Sequence, residues 1–114
     1  LYNANSSTLL SSLKAGAYGF CGVMANFHPE LYVYLYQHQY DSNADCLQAW
    51  LTMASLIERQ YYPVNAKYHM QKYSRIPVSL CSRRQDYRNF SPTMMCEVDQ
   101  LHLSEGYVRK QLGL

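Results

Sequence analysis

No run of about 18 apolar residues occurs in the sequence, so no segment is long and apolar enough for a membrane-crossing helix. Charge of one sign is missing too. Ten Lys and Arg against eight Asp and Glu leave a formal +2, and the densest like-charged point is the pair Arg83-Arg84. That excludes the basic stripe of a nucleic-acid footprint, and neither a nucleic acid nor a membrane is an expected partner. Cys21, Cys46, Cys81 and Cys96 never reach CxxC spacing. With no sign of a secreted context, four reduced, mostly buried thiols are expected rather than a disulfide framework. His28, His38, His69 and His102 are equally scattered. Metal sites usually draw two ligands from one short spacing, so no metal ligands and no cofactor are expected. Leu1-Tyr2-Asn3-Ala4 lacks the basic start and apolar core of a signal peptide. The first residue is not Met, and the chain is expected to belong to a longer one.

What is present fits one ordinary globular domain: 114 residues, 48% of them apolar. Tyrosine stands out, with 12 copies, crowded at Tyr32, Tyr34, Tyr36 and Tyr40 and again at Tyr61-Tyr62. A tyrosine brings apolar area and a polar tip, which suits packing at a helix surface or a subunit interface.

Leu9, Leu10 and Leu13 have helical spacing, with serines before them and Gly16 behind, which predicts a helix over 6–15. AYGFCGVMANF, bounded by Gly16 and Pro29, predicts a short buried strand whose glycines permit close approach of another backbone or a ligand. Pro29 and Glu30 suit the first turn of a helix running to about His38. Asn26 is expected to end the strand with a side-chain-to-backbone bond, and His28 to cap this helix. Leu47, Trp50, Leu51, Ala54, Ile57 and Tyr61 form an amphipathic stripe over 44–60. Pro63 opens a helix to 73, residues 74–90 read as irregular, and a last helix runs from Ser91-Pro92 to Gly113, with a break and a cap near Ser104. One apolar strand among helices is half of a βα unit, whose buried backbone needs strand neighbours that the local pattern does not supply.

The stretch LLSSLKAGAYGFCGVMANFHPELY resembles the last strand and flanking helices of the dihydrodipicolinate synthase / N-acetylneuraminate lyase family of class I, pyruvate-dependent aldolases. The matching features are Leu9, Leu10 and Leu13; Gly16, Ala17 and Gly19; the strand around Phe20–Val23; Ala25 and Asn26; and Pro29 and Leu31. YPVNAKYHM and SRIPVSL resemble the segments that follow in that family, so the likeness covers roughly residues 1–80. It implies the C-terminal part of a (β/α)8 TIM barrel plus a helical extension, which as an isolated chain is mostly α with one short strand. Residues 1–40 would be the last βα unit (helix 7, strand 8, helix 8) and 41–114 the extension. Such a barrel needs roughly 250 residues.

The resemblance also implies chemistry. The family's lysine forms a Schiff base with a 2-oxo acid such as pyruvate, and the imine withdraws electrons so that a carbon–carbon bond can form or break. That lysine and the family's proton-shuttling tyrosine would lie upstream of Leu1, leaving no catalytic residue here. Lys14, Lys67, Lys72 and Lys110 read as structural or solvent-facing, because a Schiff-base lysine needs a dry pocket. Cys21, Gly22 and Val23 would border the keto-acid site, and Asn5 and Ser6 would sit in the loop after strand 7. There Ala4 replaces the usual glycine and no acid follows, a departure bearing on the substrate's distal contacts. The parent would be a cytoplasmic lyase and a homo-oligomer, dimer or tetramer; the segment alone would be inactive. A separate reading makes the chain a stand-alone helical interaction module that binds through the Tyr-rich helix 29–40.

Overall fold

The computed structural model describes residues 1–114. Two short strands and five helices follow one another: β1 (Tyr2–Asn3), α1 (Leu9–Lys14), β2 (Gly19–Phe20), α2 (Pro29–Gln37), α3 (Ala44–Glu58), α4 (Val64–Tyr73) and α5 (Pro92–Leu112). Single 3₁₀ turns cover Ser6–Thr8, Val23–Asn26 and Tyr87–Asn89.

The expected lone strand has a partner. β1 and β2 pair in parallel, Tyr2 opposite Gly19 and Asn3 opposite Phe20. Tyr18 N–H donates to Leu1 O at 2.8 Å and Cys21 N–H to Asn3 O at 2.9 Å, extending the ladder at both ends. Parallel strands require a crossover, and α1 supplies it. The predicted strand is nevertheless much shorter than AYGFCGVMANF. β1 offers no backbone beyond Asn3, because Asn5 accepts a hydrogen bond from Ser7 N–H at 2.9 Å and turns the chain into 3₁₀ geometry. With no partner left, the chain after Gly22 folds into its own 3₁₀ turn.

The helices form where periodicity puts them. α1 buries Leu9, Leu10 and Leu13 against Leu31, Tyr32 and Leu35 of α2 and Leu47 and Leu51 of α3, the largest apolar cluster. A second cluster joins Phe27, Ala54 of α3, Ala66 of α4 and Leu101 of α5. A third gathers Val64, Phe90 and Val98 and pins the irregular segment 74–91 to the helices. Tyrosine tips make specific ties between elements: Tyr32 Oη pairs with Ser6 Oγ at 2.7 Å, and Tyr73 Oη donates to Asp99 Oδ1 at 2.6 Å. All four cysteines are free, as expected, but all four are exposed rather than buried. Cys46 and Cys96 lie on the solvent side of amphipathic helices, and Cys21 and Cys81 in loops.

α5 runs unbroken through Ser104. That hydroxyl caps nothing: it donates to Leu101 O at 2.8 Å and accepts from Trp50 Nε1 at 3.2 Å, tying α3 to α5. The ends of α5 follow the sequence signals. Ser91 Oγ accepts from Met94 N–H at 3.2 Å, Pro92 occupies the first turn, and Gly113 closes the helix at φ +77°. Ser91→Ala is expected to cost about 1 kcal/mol by urea unfolding, because it frees a first-turn N–H. A change under a few tenths would show that the cap contributes nothing.

Candidate functional site

The residues expected to border a substrate follow the C-terminal ends of the two parallel strands, which brings Asn5 and Ser6 near Cys21, Gly22 and Val23 in the chain's topology. Their side chains diverge in use. Asn5 caps the first 3₁₀ turn. Ser6 is buried and held by Tyr32. Cys21 and Val23 face solvent. At Gly22 an added Cβ would run into the Phe20 ring, which stacks on Tyr32 with centroids 4.4 Å apart. The groove of about 360 Å³ beside these strands is lined by Tyr2, Tyr18, Phe20, Tyr32, Val33 and Tyr36, with none of the five expected residues in its wall. Of the lysines, Lys14, Lys72 and Lys110 are exposed, while Lys67 is half-buried and donates to Cys81 O.

The densest polar chemistry lies elsewhere, around His28. It occupies the N-cap position of α2, but its side chain makes no cap. The ring turns inward to 0% exposure between two carboxylates. Nε2 lies 2.6 Å from Glu58 Oε2 of α3, and Nδ1 lies 3.2 Å from Glu105 Oε1 of α5. The Glu58 contact is a short one between two fully buried side chains. Trp50 meets the ring edge-on at 5.0 Å and Tyr32 stacks at 5.9 Å. Arg109 Nε donates to Glu105 Oε2 at 2.7 Å, and its Nη2 reaches Glu30 at 3.1 Å. Asn26, expected to bond backbone, instead donates from Nδ2 to Tyr62 Oη at 2.9 Å.

Burial pushes the His28 imidazole down, but hydrogen bonds and charge from Glu105 and Glu58 outweigh it and hold the ring above its usual value. Burial likewise acts to raise Glu105, yet His28 and Arg109 keep its carboxyl below the ordinary range. For Glu58 burial prevails over His28 and leaves the carboxyl raised. The result is a fully buried imidazole clasped by two acids, one of which, Glu105, also borders a cleft of about 370 Å³, so the group reads first as a structural ion network.

A third feature adjoins Glu105. His69 of α4 is 3% exposed, and neither ring nitrogen has a hydrogen-bond partner. Burial, with the charges of His102 and His28, drives its pKa down to about 4 despite Glu105. His102 of α5 stacks on Tyr73 at 3.6 Å and meets His69 edge-on at 5.6 Å, with its Nδ1 also unpartnered. One ligand atom from each of His69, His102 and Glu105 lies within 4.8 Å of the others.

The sequence carried a signal for these groups that charge counting misses. Glu58 continues the buried stripe Leu47, Leu51, Ala54, and Glu105 continues Val98, Leu101. An acid on the apolar face of a helix needs a buried partner. The chain matches no protein-family model, no curated protein and no solved structure.

Proposed function

We propose that this chain is the C-terminal portion of a dihydrodipicolinate synthase-family lyase, one that acts on a pyruvate-type 2-oxo acid through a lysine Schiff base upstream of Leu1. The observation that carries this reading is the parallel β1–α1–β2 unit, followed at once by α2. Parallel pairing through a helical crossover is the repeating unit of a (β/α)8 barrel, and parallel sheets are stable when both faces and edges are covered. β1 and β2 pair only with each other. The segments 4–6 and 21–23 follow the C-terminal ends of these strands, the side on which such barrels bind substrate. In this reading the chain contributes wall and scaffold, the exposed Tyr2, Tyr18, Val33 and Tyr36 meet the rest of the barrel, and the His28 network locks the extension onto it.

The test has two arms. Coding sequence upstream of Leu1 should remain open for about 180 residues, the balance of a barrel. The longer product, treated with pyruvate and borohydride, should carry an adduct on a lysine upstream of Leu1, while the 114-residue chain carries none. An adduct on Lys14, Lys67, Lys72 or Lys110, or none on the longer product, would overturn the assignment.

The exposed apolar groove of Tyr2, Tyr18, Val33 and Tyr36 favours a second reading, an interaction module that docks a partner on α2. That reading requires the isolated chain to stay monomeric with the groove open, whereas bare sheet edges in the first reading favour self-association.

A further inference from the structure

We propose that His69, His102 and Glu105 form a binding site for one divalent transition-metal ion at the junction of α4 and α5. The inference does not depend on the aldolase reading, because its residues lie outside the β–α–β unit. Two imidazoles and one carboxylate present ligand atoms within 4.8 Å of one another. Zinc bonds of about 2.0–2.2 Å hold tetrahedral ligands roughly 3.4 Å apart, so the three must close by a little over an ångström. His102 is half-buried and meets the buried His69 edge-on at 5.6 Å, so the closing movement falls mainly on its side chain.

The second observation is His69 itself. A buried imidazole with no partner on either nitrogen is costly, and such exceptions call for an explanation. It is almost fully enclosed, yet its ring shares a cleft of about 370 Å³ with His102 and Glu105. A bound ion would supply a partner for one of the two nitrogens of His69 and for one nitrogen of His102.

Glu105 remains able to ligate while held by His28 and Arg109. A carboxylate has about four lone-pair sites, and these contacts use two. His28 and Arg109 would then orient the ligating carboxylate from behind, as outer partners do in metal sites. The stack of Tyr73 on His102, anchored by Tyr73 Oη on Asp99, orients the second imidazole in the same way. Two histidines and one carboxylate leave a position for water or an exogenous ligand facing the cleft, the donor set of open zinc or ferrous sites.

The test is titration of the full 114-residue chain with Zn²⁺ and Co²⁺. One equivalent of Zn²⁺ should raise Tm, and Co²⁺ should develop ligand-field absorption with the same stoichiometry. Both responses should persist when the four exposed cysteines are changed to serine. His102→Gln, at a half-buried position, should lose at least about tenfold in affinity while retaining its helical circular dichroism. His69→Gln should do the same, and His38→Gln should bind as the parent does. No Tm rise in excess Zn²⁺, a response abolished by the serine changes, or His69 and His102 variants binding within twofold of the parent would overturn the proposal.

Discussion

His28→Leu is expected to destabilise the chain by about 3–5 kcal/mol near pH 7. The leucine fills most of the space, so the loss comes from charge. Glu58 is 0% exposed, and its partner 2.6 Å away is the His28 imidazole, whose affinity for a proton is raised by the two acids beside it. Without it a carboxylate stands alone in an apolar setting, and Glu105 is left to Arg109. Glu58 already has a raised pKa and must rise further in the variant. A group whose folded pKa lies above its unfolded value contributes stability fully below the unfolded value, here the ordinary 4.5, and loses it as pH climbs through the folded value. In the parent, His28 is itself raised, so its contribution is complete below 6.5 and fades only above that. The gap between parent and variant should therefore be smallest near pH 4.5 and widen toward pH 6.5. His69 charges near pH 4 and Glu105 loses its contribution below the ordinary 4.5, both at the acid edge of this window. Urea unfolding across pH 4.5–7 measures the gap. A penalty that does not change with pH would show that the network's charges do not matter. Adding Glu58→Leu to His28→Leu should recover part of the loss, because it removes the stranded acid rather than a second favourable contact.

Leu51→Ala is expected to cost about 2–5 kcal/mol, a large share of the 5–15 kcal/mol that typically holds a domain together. Leu51 is 0% exposed in the cluster where α3 meets α1 and α2. Its removal leaves a void in the cluster that also holds Leu9, Leu31, Leu35 and Leu47, side chains from three helices that cannot all collapse without shifting. Met53, two positions along the same helix and 66% exposed, is the control: Met53→Ala should stay within about 0.5 kcal/mol. The readout is a shift in the denaturant midpoint with the slope unchanged, which separates lost stability from a change in the unfolded chain. Equal effects at the two positions would mean that the leucine cluster is not the core.

Most of what local chemistry governs was legible in advance. The stripe Leu47, Leu51, Ala54 placed α3 and its buried face. Pro29 with Glu30 placed the start of α2, and Ser91, Pro92 and Gly113 placed both ends of α5. Errors arose where two segments distant in sequence decide jointly. Tyr2-Asn3 has no strand signature of its own, since two residues cannot show alternation, and only docking beside Gly19-Phe20 makes it β1. Ser104 has the composition of a cap, but in an unbroken helix its hydroxyl serves Trp50 of α3 instead.

The candidate sites divide the same way. His28 before Pro29 reads locally as a cap, and the competing pull comes from Glu58 and Glu105, 30 and 77 residues away. Likewise His69 and His102 are separated by a whole irregular segment, so no spacing rule could pair them. The sequence by itself determined the helices, their buried faces and their ends, because those depend on side chains within one or two turns of each other. The tertiary structure decided which polar residues share an interior. A buried charge is stable only beside its partner, and the partner is chosen by how α2, α3, α4 and α5 pack rather than by neighbouring residues in the chain.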